Sequence, residues 1–195
     1  SQAFQLRRDG SQAPHALVQY MSQLRTSFFS GGQQDAHEFL LALLERMHEH
    51  SAPDEHSSPD GNRQGDTVQV DHIFGGKLVS RLVGTCTHTA SSYDSFRCLE
   101  LDILEANTIE AALRGYTQRE TLEAHWACPV CREPVNAEKQ CIIEVAPCVL
   151  VLMLKRFTSS GTKLAHEVNF EEQLRLDEFT SARQPEAPAT FGPGK

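Results

Sequence analysis

The first part of the chain contains two stretches in which apolar residues recur with the period of an α-helix. The pattern that starts at Gln33 predicts an amphipathic helix with one apolar face, formed by Ala36, Phe39, Leu40, Leu43, Leu44 and Met47. Two residues are placed to cap its start, Ser30 with Gln33 three positions later and Asp35 with Glu38. A weaker repeat after Pro14 predicts a second helix upstream, with apolar positions at Leu17, Tyr20, Met21, Leu24 and Phe28.

Beyond residue 67 the period changes to two, which predicts half-buried β-strands. These strands carry the alternating positions Val68, Val70 and His72, then Leu78, Ser80 and Leu82, then Phe96, Cys98, Glu100 and Asp102 opposite Leu99, Leu101 and Ile103. Thr108 is placed to cap a short helix, and Glu110 in its first turn favours the same start. The apolar runs at 142–145 and 149–154 predict buried strands.

Two segments carry no apolar period. Residues 51–67 are rich in Ser, Pro, Asp, Gly, Asn and Gln, so we expect an exposed insertion there. Residues 183–195 are rich in Pro and Gly and predict a tail without a packed core.

The composition narrows the class of partner and the compartment. The 195 residues include 18 Lys and Arg against 26 Asp and Glu, a formal charge of −8, which argues against nucleic acid and anionic membranes as partners. The longest apolar run is far shorter than the roughly 18 residues of a membrane span. The sequence begins without the pattern of a signal peptide, and its six cysteines contain a single close pair. We therefore expect an intracellular, reducing compartment, cytoplasm or nucleus.

Three ordered sequence blocks resemble the ubiquitin-specific protease family of deubiquitinases. Residues 32–40, Gly-Gln-Gln-Asp-Ala-His-Glu-Phe-Leu, are similar to the glutamine-aspartate box of that family. The block Ile-Phe-Gly-Gly-Lys-Leu at 73–78, continuing to Cys86, Leu-Asp-Ile at 101–103 and Cys-Pro-Val-Cys at 128–131 resemble its fingers. A third block, from Lys139 to Leu-Lys-Arg-Phe at 154–157, is similar to its palm.

This resemblance implies an α+β, papain-like cysteine protease fold with a partial fingers, palm and thumb architecture and antiparallel finger strands. It implies a thumb part at 1–50, the exposed insertion at 51–67, fingers at 68–145, the start of the palm at 146–182 and the tail at 183–195. It also implies a thiol-dependent hydrolase that cleaves the isopeptide bond at the C-terminal glycine of ubiquitin, with ubiquitin and ubiquitinated proteins as partners.

The family's cysteine and histidine boxes, which hold its nucleophile and its general base, do not occur in this sequence. By their order in the family, we expect the first before Ser1 and the second after Lys195. Cys98, Cys141 and Cys148 lie in apolar or alternating runs and are expected to be small buried residues. We therefore assign no catalytic residue and expect the chain alone to be inactive. The alternative is a non-catalytic ubiquitin-binding or scaffolding module.

The polar residues of the glutamine-aspartate box are the candidate binding site. In the family this box lines the cleft for the arginine-rich C-terminal tail of ubiquitin, and a carboxylate there can bind a guanidinium through two hydrogen bonds. By resemblance, Gln34 and Asp35 are expected to bind the tail, together with Glu38.

The pair Cys128 and Cys131 is the candidate for half of a structural zinc site, because two thiolates at this spacing converge on one tetrahedral metal. The resemblance implies a second pair at Cys86 and the position of Thr89. Threonine is a poor zinc ligand, so either His88 substitutes, giving a site of Cys86, His88, Cys128 and Cys131, or the metal has been lost. A redox dithiol would need a long helix after the first cysteine, which the sequence does not predict.

Overall fold

The computed structural model describes residues 15–28, 33–51 and 70–183. It divides into two compact units, Ser1–Thr67 and Val68–Lys195. Most of the expected insertion and tail, and the candidate cap Ser30, lie outside the described residues.

The first unit contains the two predicted helices, α1 at His15–Leu24 and α2 at Ala36–Ser51. Helix α2 starts at Ala36 because the Asp35 side chain accepts hydrogen bonds from the first-turn amides. Its apolar face contributes Phe39, whose ring centroid lies 6.0 Å from that of the fully buried Phe28. This contact anchors the start of α2 against the segment that follows α1.

The second unit contains a four-stranded antiparallel sheet in the order β2-β1-β5-β4. A separate pair of parallel strands is formed by β3 and β6. The strands are β1 at Gly76–Gly84, β2 at Thr89–Phe96, β3 at Leu99–Asp102, β4 at Glu120–Ala127, β5 at Pro134–Val145 and β6 at Leu152–Lys155.

Helix α4, at Ile109–Thr117, covers β3 and the C-terminal part of β5. It begins as predicted, because the Thr108 hydroxyl accepts a hydrogen bond from the Ala111 amide at 3.1 Å. The core beneath it comes from β3, α4, β5 and a 3-10 turn at Asp177–Phe179, through Leu99, Leu101, Ile103, Leu113, Ile143 and Phe179. The alternation predicted around 99–103 is therefore confirmed.

The strand predicted around Val70 and His72 is wrong. These residues form the short helix α3, Val70–Phe74, and Val70 is buried. The Gly75 amide bonds the Asp71 carbonyl at 3.0 Å and closes the last turn. A β-carbon at position 75 would lie 2.3 Å from that carbonyl oxygen, so the glycine permits a helical turn where a period of two suggested a strand.

Other differences concern strand ends and one cysteine. The strand predicted through Phe96 to Ile103 is interrupted at Arg97, which pairs with Asp71 at 2.7 Å. The final strand, β6, begins at Leu152, three residues later than predicted, so Cys148 lies exposed in a loop and its predicted burial is wrong. Strand β4 was not predicted, and neither was most of β2.

Candidate functional site

Four potential metal ligands meet at one end of the four-stranded sheet. Cys86 and His88 come from the turn between β1 and β2, while Cys128 and Cys131 come from the turn between β4 and β5. Their ligand atoms all lie within 4.8 Å of one another. The structure therefore brings together the four residues that the sequence proposed as metal ligands.

The distances suit a tetrahedral ion. His88 Nδ1 lies 3.5 Å from Cys128 Sγ, and sulfur and nitrogen ligands at zinc bond lengths and tetrahedral angles are about 3.6 Å apart. Three thiols and one imidazole form a common structural zinc set. The cluster can hold a metal ion, with Cys86, Cys128 and Cys131 supplying thiolates and His88 supplying Nδ1.

The backbone of both turns is shaped around these side chains. Thr87 and Arg132, each directly after a cysteine of the cluster, have positive φ angles of 65° and 62°. In the second turn the Val130 amide donates a hydrogen bond to Cys128 Sγ at 3.4 Å, and the Arg132 amide bonds the Cys128 carbonyl at 2.9 Å. Left-handed conformations are costly for residues other than glycine, so both turns adopt unfavourable backbone angles where they position the ligands.

The electrostatics of Cys128 favour the thiolate that a metal ligand must become. Burial raises the pKa of this thiol, but hydrogen bonds from the backbone amides of Cys131 and Val130, and from the Cys131 and Cys86 thiols, lower it to about 6. The balance shows that donors in the turn outweigh the loss of water around this sulfur.

Strand alternation places Thr89, the position at which the resemblance implied a second cysteine, on the sheet face opposite Gly84. It pairs with Val83 and lines a pocket with Arg81 on one face of the sheet. Successive strand residues point to opposite faces, which places Gly84 on the other face, where a β-carbon would lie 3.0 Å from Cys86 Sγ. His88 is therefore the fourth potential ligand of the cluster, because a side chain at position 89 lies on the opposite face of the sheet.

Packing against the cluster involves a residue pair that the sequence did not single out. A β-carbon on Gly84 would lie 2.8 Å from Trp126 Cζ3 as well as close to Cys86. Because Gly84 has no side chain, the Trp126 indole and the Cys86 thiol can both approach its backbone closely. The only signal in the sequence was a glycine at the end of a strand, next to a turn.

The polar residues before and within the first turn of α2 form the second candidate site. Gln34 is half-buried and Asp35 is exposed. One carboxylate oxygen, Asp35 Oδ1, accepts the amides of His37 at 2.7 Å and Glu38 at 3.2 Å. Gln33, Gln34 and Asp35 thus precede the helix rather than forming its first turn, and the capping bonds hold the Asp35 carboxylate in one orientation.

Glu38, the third residue expected to bind the tail, already has an ionic partner. Arg25 Nη1 lies 2.6 Å from Glu38 Oε1, and both side chains are well exposed to solvent. A cationic ligand would have to compete with this arginine. The neighbouring His37 Nε2 is buried without a hydrogen-bond partner among the described residues.

Two of the three cysteines outside the cluster, Cys98 and Cys141, lie in surroundings that raise the pKa of the thiol. Burial, and to a lesser degree the Glu100 carboxylate, raise the pKa of Cys98. Burial likewise raises the pKa of Cys141, and this effect exceeds the lowering by a hydrogen bond with Tyr116 and by the charge of Lys139. Cys148 is exposed on the loop after β5. The raised pKa values of Cys98 and Cys141 are the opposite of what a reactive thiolate needs, which is a lowered pKa and a nearby base.

Arg156 bonds two carbonyls of the loop that follows β6. Its Nη1 donates to the His166 carbonyl at 2.9 Å and to the Leu164 carbonyl at 3.5 Å. Lys155 lies 3.6 Å from Glu100 on the neighbouring strand β3. Both charges of the Lys-Arg pair therefore have structural partners within the second unit.

Comparison with known proteins gives a consistent result. The family described as "Ubiquitin carboxyl-terminal hydrolase" matches residues 2–190. The protein named Ubiquitin carboxyl-terminal hydrolase 36 of Drosophila virilis is 35% identical over 179 residues, which cover 90% of this chain and 15% of that protein. Its counterpart in Drosophila grimshawi is 34% identical, with 90% and 14% covered. The chain therefore spans about 15% of the length of the curated relatives it matches.

Solved structures give the same relationship. The SAGA Ubp8/Sgf11/Sus1/Sgf73 DUB module bound to ubiquitin aldehyde matches with a TM-score of 0.68 and 28% identity, over 85% of this chain and 37% of that one. The same module bound to monoubiquitin matches with a TM-score of 0.70 and 27% identity, over 85% and 38%. The expected α+β, papain-like fold is confirmed. In the part of the chain that the structure describes, no helix has the length and apolar character to cross a bilayer.

Proposed function

This chain belongs to the ubiquitin carboxyl-terminal hydrolase family, and we propose that it forms part of the catalytic domain of a deubiquitinase. The whole protein would hydrolyse the isopeptide bond after the terminal glycine of ubiquitin, with a cysteine thiolate as nucleophile and a histidine as base and then acid. The observation that carries this proposal is the continuous family match over residues 2–190, with the predicted ligand cluster at the turns of its antiparallel sheet.

The nucleophile and the general base of that reaction would come from outside these 195 residues. Three cysteines gather in the ligand cluster, two others have raised pKa values, and Cys148 lies on an exposed loop. These surroundings support the proposal that the chain alone is inactive.

A ubiquitin C-terminal fluorogenic substrate tests this directly. We expect no turnover by the 195-residue chain and turnover by the product of the complete gene. Turnover by the short chain that a single Cys→Ala change abolishes would overturn the proposal. Absence of turnover from the complete product would favour the alternative, a non-catalytic ubiquitin-binding module.

Ubiquitin is the proposed partner of the Asp35 region. Two of the structural neighbours are bound to ubiquitin, one to ubiquitin aldehyde and one to monoubiquitin. We propose that Gln34, Asp35 and Glu38 contact the arginine-rich tail of ubiquitin. Asp35 supports this role because it is exposed and its capping bonds to backbone amides fix the carboxylate. A fixed carboxylate loses less side-chain entropy when it binds a guanidinium.

Two substitutions separate tail binding from helix capping. Asp35→Asn removes the charge but keeps a good cap, whereas Asp35→Ala removes both. We expect both variants to bind ubiquitin more weakly by at least about tenfold, since a charge-assisted bond contributes about 1.5–3 kcal/mol. Only Asp35→Ala should also lower helix stability. Unchanged ubiquitin affinity in Asp35→Asn, measured by calorimetry, would remove Asp35 from the site.

We propose one structural zinc at Cys86, His88, Cys128 and Cys131. Zinc bound to four protein ligands would add folding free energy to this end of the sheet and would leave no open position for chemistry. The 3.5 Å separation of His88 Nδ1 and Cys128 Sγ supports this ligand set. A zinc site needs cysteines that are not in disulfides, and this supports an intracellular, reducing compartment, cytoplasm or nucleus.

A further inference from the structure

Strand β2 forms an open edge of the four-stranded sheet. Residues 91–95 are all exposed, and the Tyr93 side chain is 64% exposed. On its outer side the strand has no backbone partner among the described residues. Proteins usually protect such edges with proline, charged side chains or a β-bulge, but Thr89–Phe96 contains no proline and a single charged residue, Asp94, and it pairs with β1 in an unbroken register. The edge is therefore available to another strand.

The register of β1 and β2 shows which backbone groups this edge presents. Gly84 donates its amide to the His88 carbonyl at 2.9 Å, so this pair is hydrogen-bonded. Hydrogen-bonded and non-hydrogen-bonded pairs alternate along an antiparallel ladder. The amides and carbonyls at every second residue of β2 therefore point away from β1, and these residues are Thr89, Ser91, Tyr93 and Ser95.

We infer that β2 is a self-association edge, which pairs antiparallel with β2 of a second copy of this chain. The register that places Ser92 opposite its own counterpart aligns Ser91 with Tyr93 and Thr89 with Ser95. In this register all four outward-facing residues meet an outward-facing residue of the second copy. Sliding one strand by a single residue sets each of the four against a residue whose backbone groups point toward β1, and sliding it by two residues leaves one of the four without an outward-facing partner inside the strand.

Charge and side-chain size favour the same register. Asp94 is the only charged residue of β2, and here it faces Ala90 of the second copy. A slide of four residues would instead place Asp94 against its own counterpart, and opposed like charges destabilise a strand pair. The small Ser91 faces the large, exposed Tyr93, so the two edges approach without steric conflict.

The size of the contact predicts a weak dimer. Seven paired residues per strand bury less than the roughly 1,200 Å² of a stable specific interface. Self-association should therefore depend on concentration. Sedimentation velocity over a dilution series of the 195-residue chain should show a monomer–dimer equilibrium, and a mass independent of concentration would overturn the inference.

Amide exchange locates the contact by its alternation. In concentrated protein the amides of Ser91, Tyr93 and Ser95 should become protected, while those of Ser92 and Asp94 are protected at every concentration by their bonds to β1. A dimer in which Ser91 and Tyr93 exchange freely would contradict this edge. Protection of Ser91 and Tyr93 in dilute monomer would also contradict it, since another part of the chain would then cover the strand.

Position 90 offers a matched pair of variants. Ala90→Lys would place a cation opposite Asp94 of the second copy twice per dimer, and should tighten self-association about threefold to tenfold. Ala90→Glu should weaken it by a similar factor. Ser91→Pro removes an outward-facing amide, which leaves the bonds to β1 intact, and should abolish dimerisation with little loss of thermal stability. Equal dimerisation of the two Ala90 variants would refute this register.

Discussion

His88 Nδ1 lies 3.5 Å from Cys128 Sγ, although 40 positions separate the two residues in the chain. The contact joins the turn between β1 and β2 to the turn between β4 and β5. These hairpins are neighbours in the sheet only through β1 and β5. A metal held by both turns would therefore cross-link the two hairpins at this end of the sheet, which is the arrangement through which binding contributes to folding.

Metal removal should destabilise the protein. At a free zinc concentration about a thousandfold above Kd, binding stabilises the folded state by about 4 kcal/mol. For a chain of this size that corresponds to a fall in Tm of about 10 °C when a chelator is added. Differential scanning calorimetry with and without chelator measures this shift. Equal Tm values in the two conditions would mean that no structural ion is bound.

Two glycine substitutions should have opposite effects. Gly84→Ala places a β-carbon 2.8 Å from Trp126 Cζ3 and 3.0 Å from Cys86 Sγ, so it should destabilise the protein by about 1–3 kcal/mol. Gly115→Ala, in helix α4, meets no atom within 4 Å and should stabilise the protein by about 0.5–1 kcal/mol.

Urea unfolding of both variants provides the measurement, with Gly115→Ala as the control for added side-chain volume. Trp126 is the single tryptophan of the chain, so its fluorescence should change in Gly84→Ala and stay constant in Gly115→Ala. A Gly84→Ala variant with native stability and native fluorescence would contradict the close packing at this position.

The cap of α4 can be tested at Thr108. Its hydroxyl accepts the Ala111 amide, so Thr108→Ala should lower the free energy of unfolding by about 0.5–2 kcal/mol. Thr108→Ser keeps the acceptor and should cost much less. Equal losses in the two variants, measured by urea unfolding, would show that methyl packing rather than capping holds this residue.

The thiols outside the cluster should differ in reactivity. Iodoacetamide followed by mass spectrometry should label the exposed Cys148 first, and Cys98 and Cys141 more slowly, because burial raises the pKa of both. Labelling of Cys98 or Cys141 as fast as Cys148 would contradict these surroundings.

The same two raised pKa values predict a pH dependence of stability. Because the folded state holds these protons more tightly than the unfolded chain does, the stabilisation is complete below the ordinary thiol pKa of 9.0 and is lost as pH rises above it. The double variant Cys98→Ala/Cys141→Ala should therefore lose less stability between neutral and alkaline pH than the native chain, as urea unfolding would show. If the double variant and the native chain showed the same pH dependence of stability, the raised pKa values of Cys98 and Cys141 would be contradicted.

The sequence predicted the elements that are determined by residues close together in the chain. Both helices of the first unit and the Thr108 cap of α4 follow from apolar spacing and capping chemistry. Strand β2 escaped prediction because an edge strand with five exposed residues in succession has no buried face to impose alternation. The helix α3 was mistaken for a strand because five residues contain too few periods to separate 2 from 3.6.

In the candidate metal site, too, the sequence predicted the features set by chain neighbours but not those set by strand pairing. The Cys-x-x-Cys pair identified half of the ligand cluster, since its members are neighbours in the chain. Whether His88 completes the ligand set or the metal has been lost could not be decided from sequence, because it depends on which side chains the two turns bring together. The packing of Trp126 against Gly84 likewise depends on the pairing of β4 with β5, and β4 itself was not predicted.

Metal content in a matched pair of neighbouring variants tests the central claim, that His88 closes a four-ligand zinc site. The native chain should bind one zinc per molecule, and Thr89→Ala should bind the same amount with the same affinity because its side chain faces the other side of the sheet. His88→Ala should lose at least about tenfold in zinc affinity. Native zinc affinity in His88→Ala, or its loss in Thr89→Ala, would contradict the account.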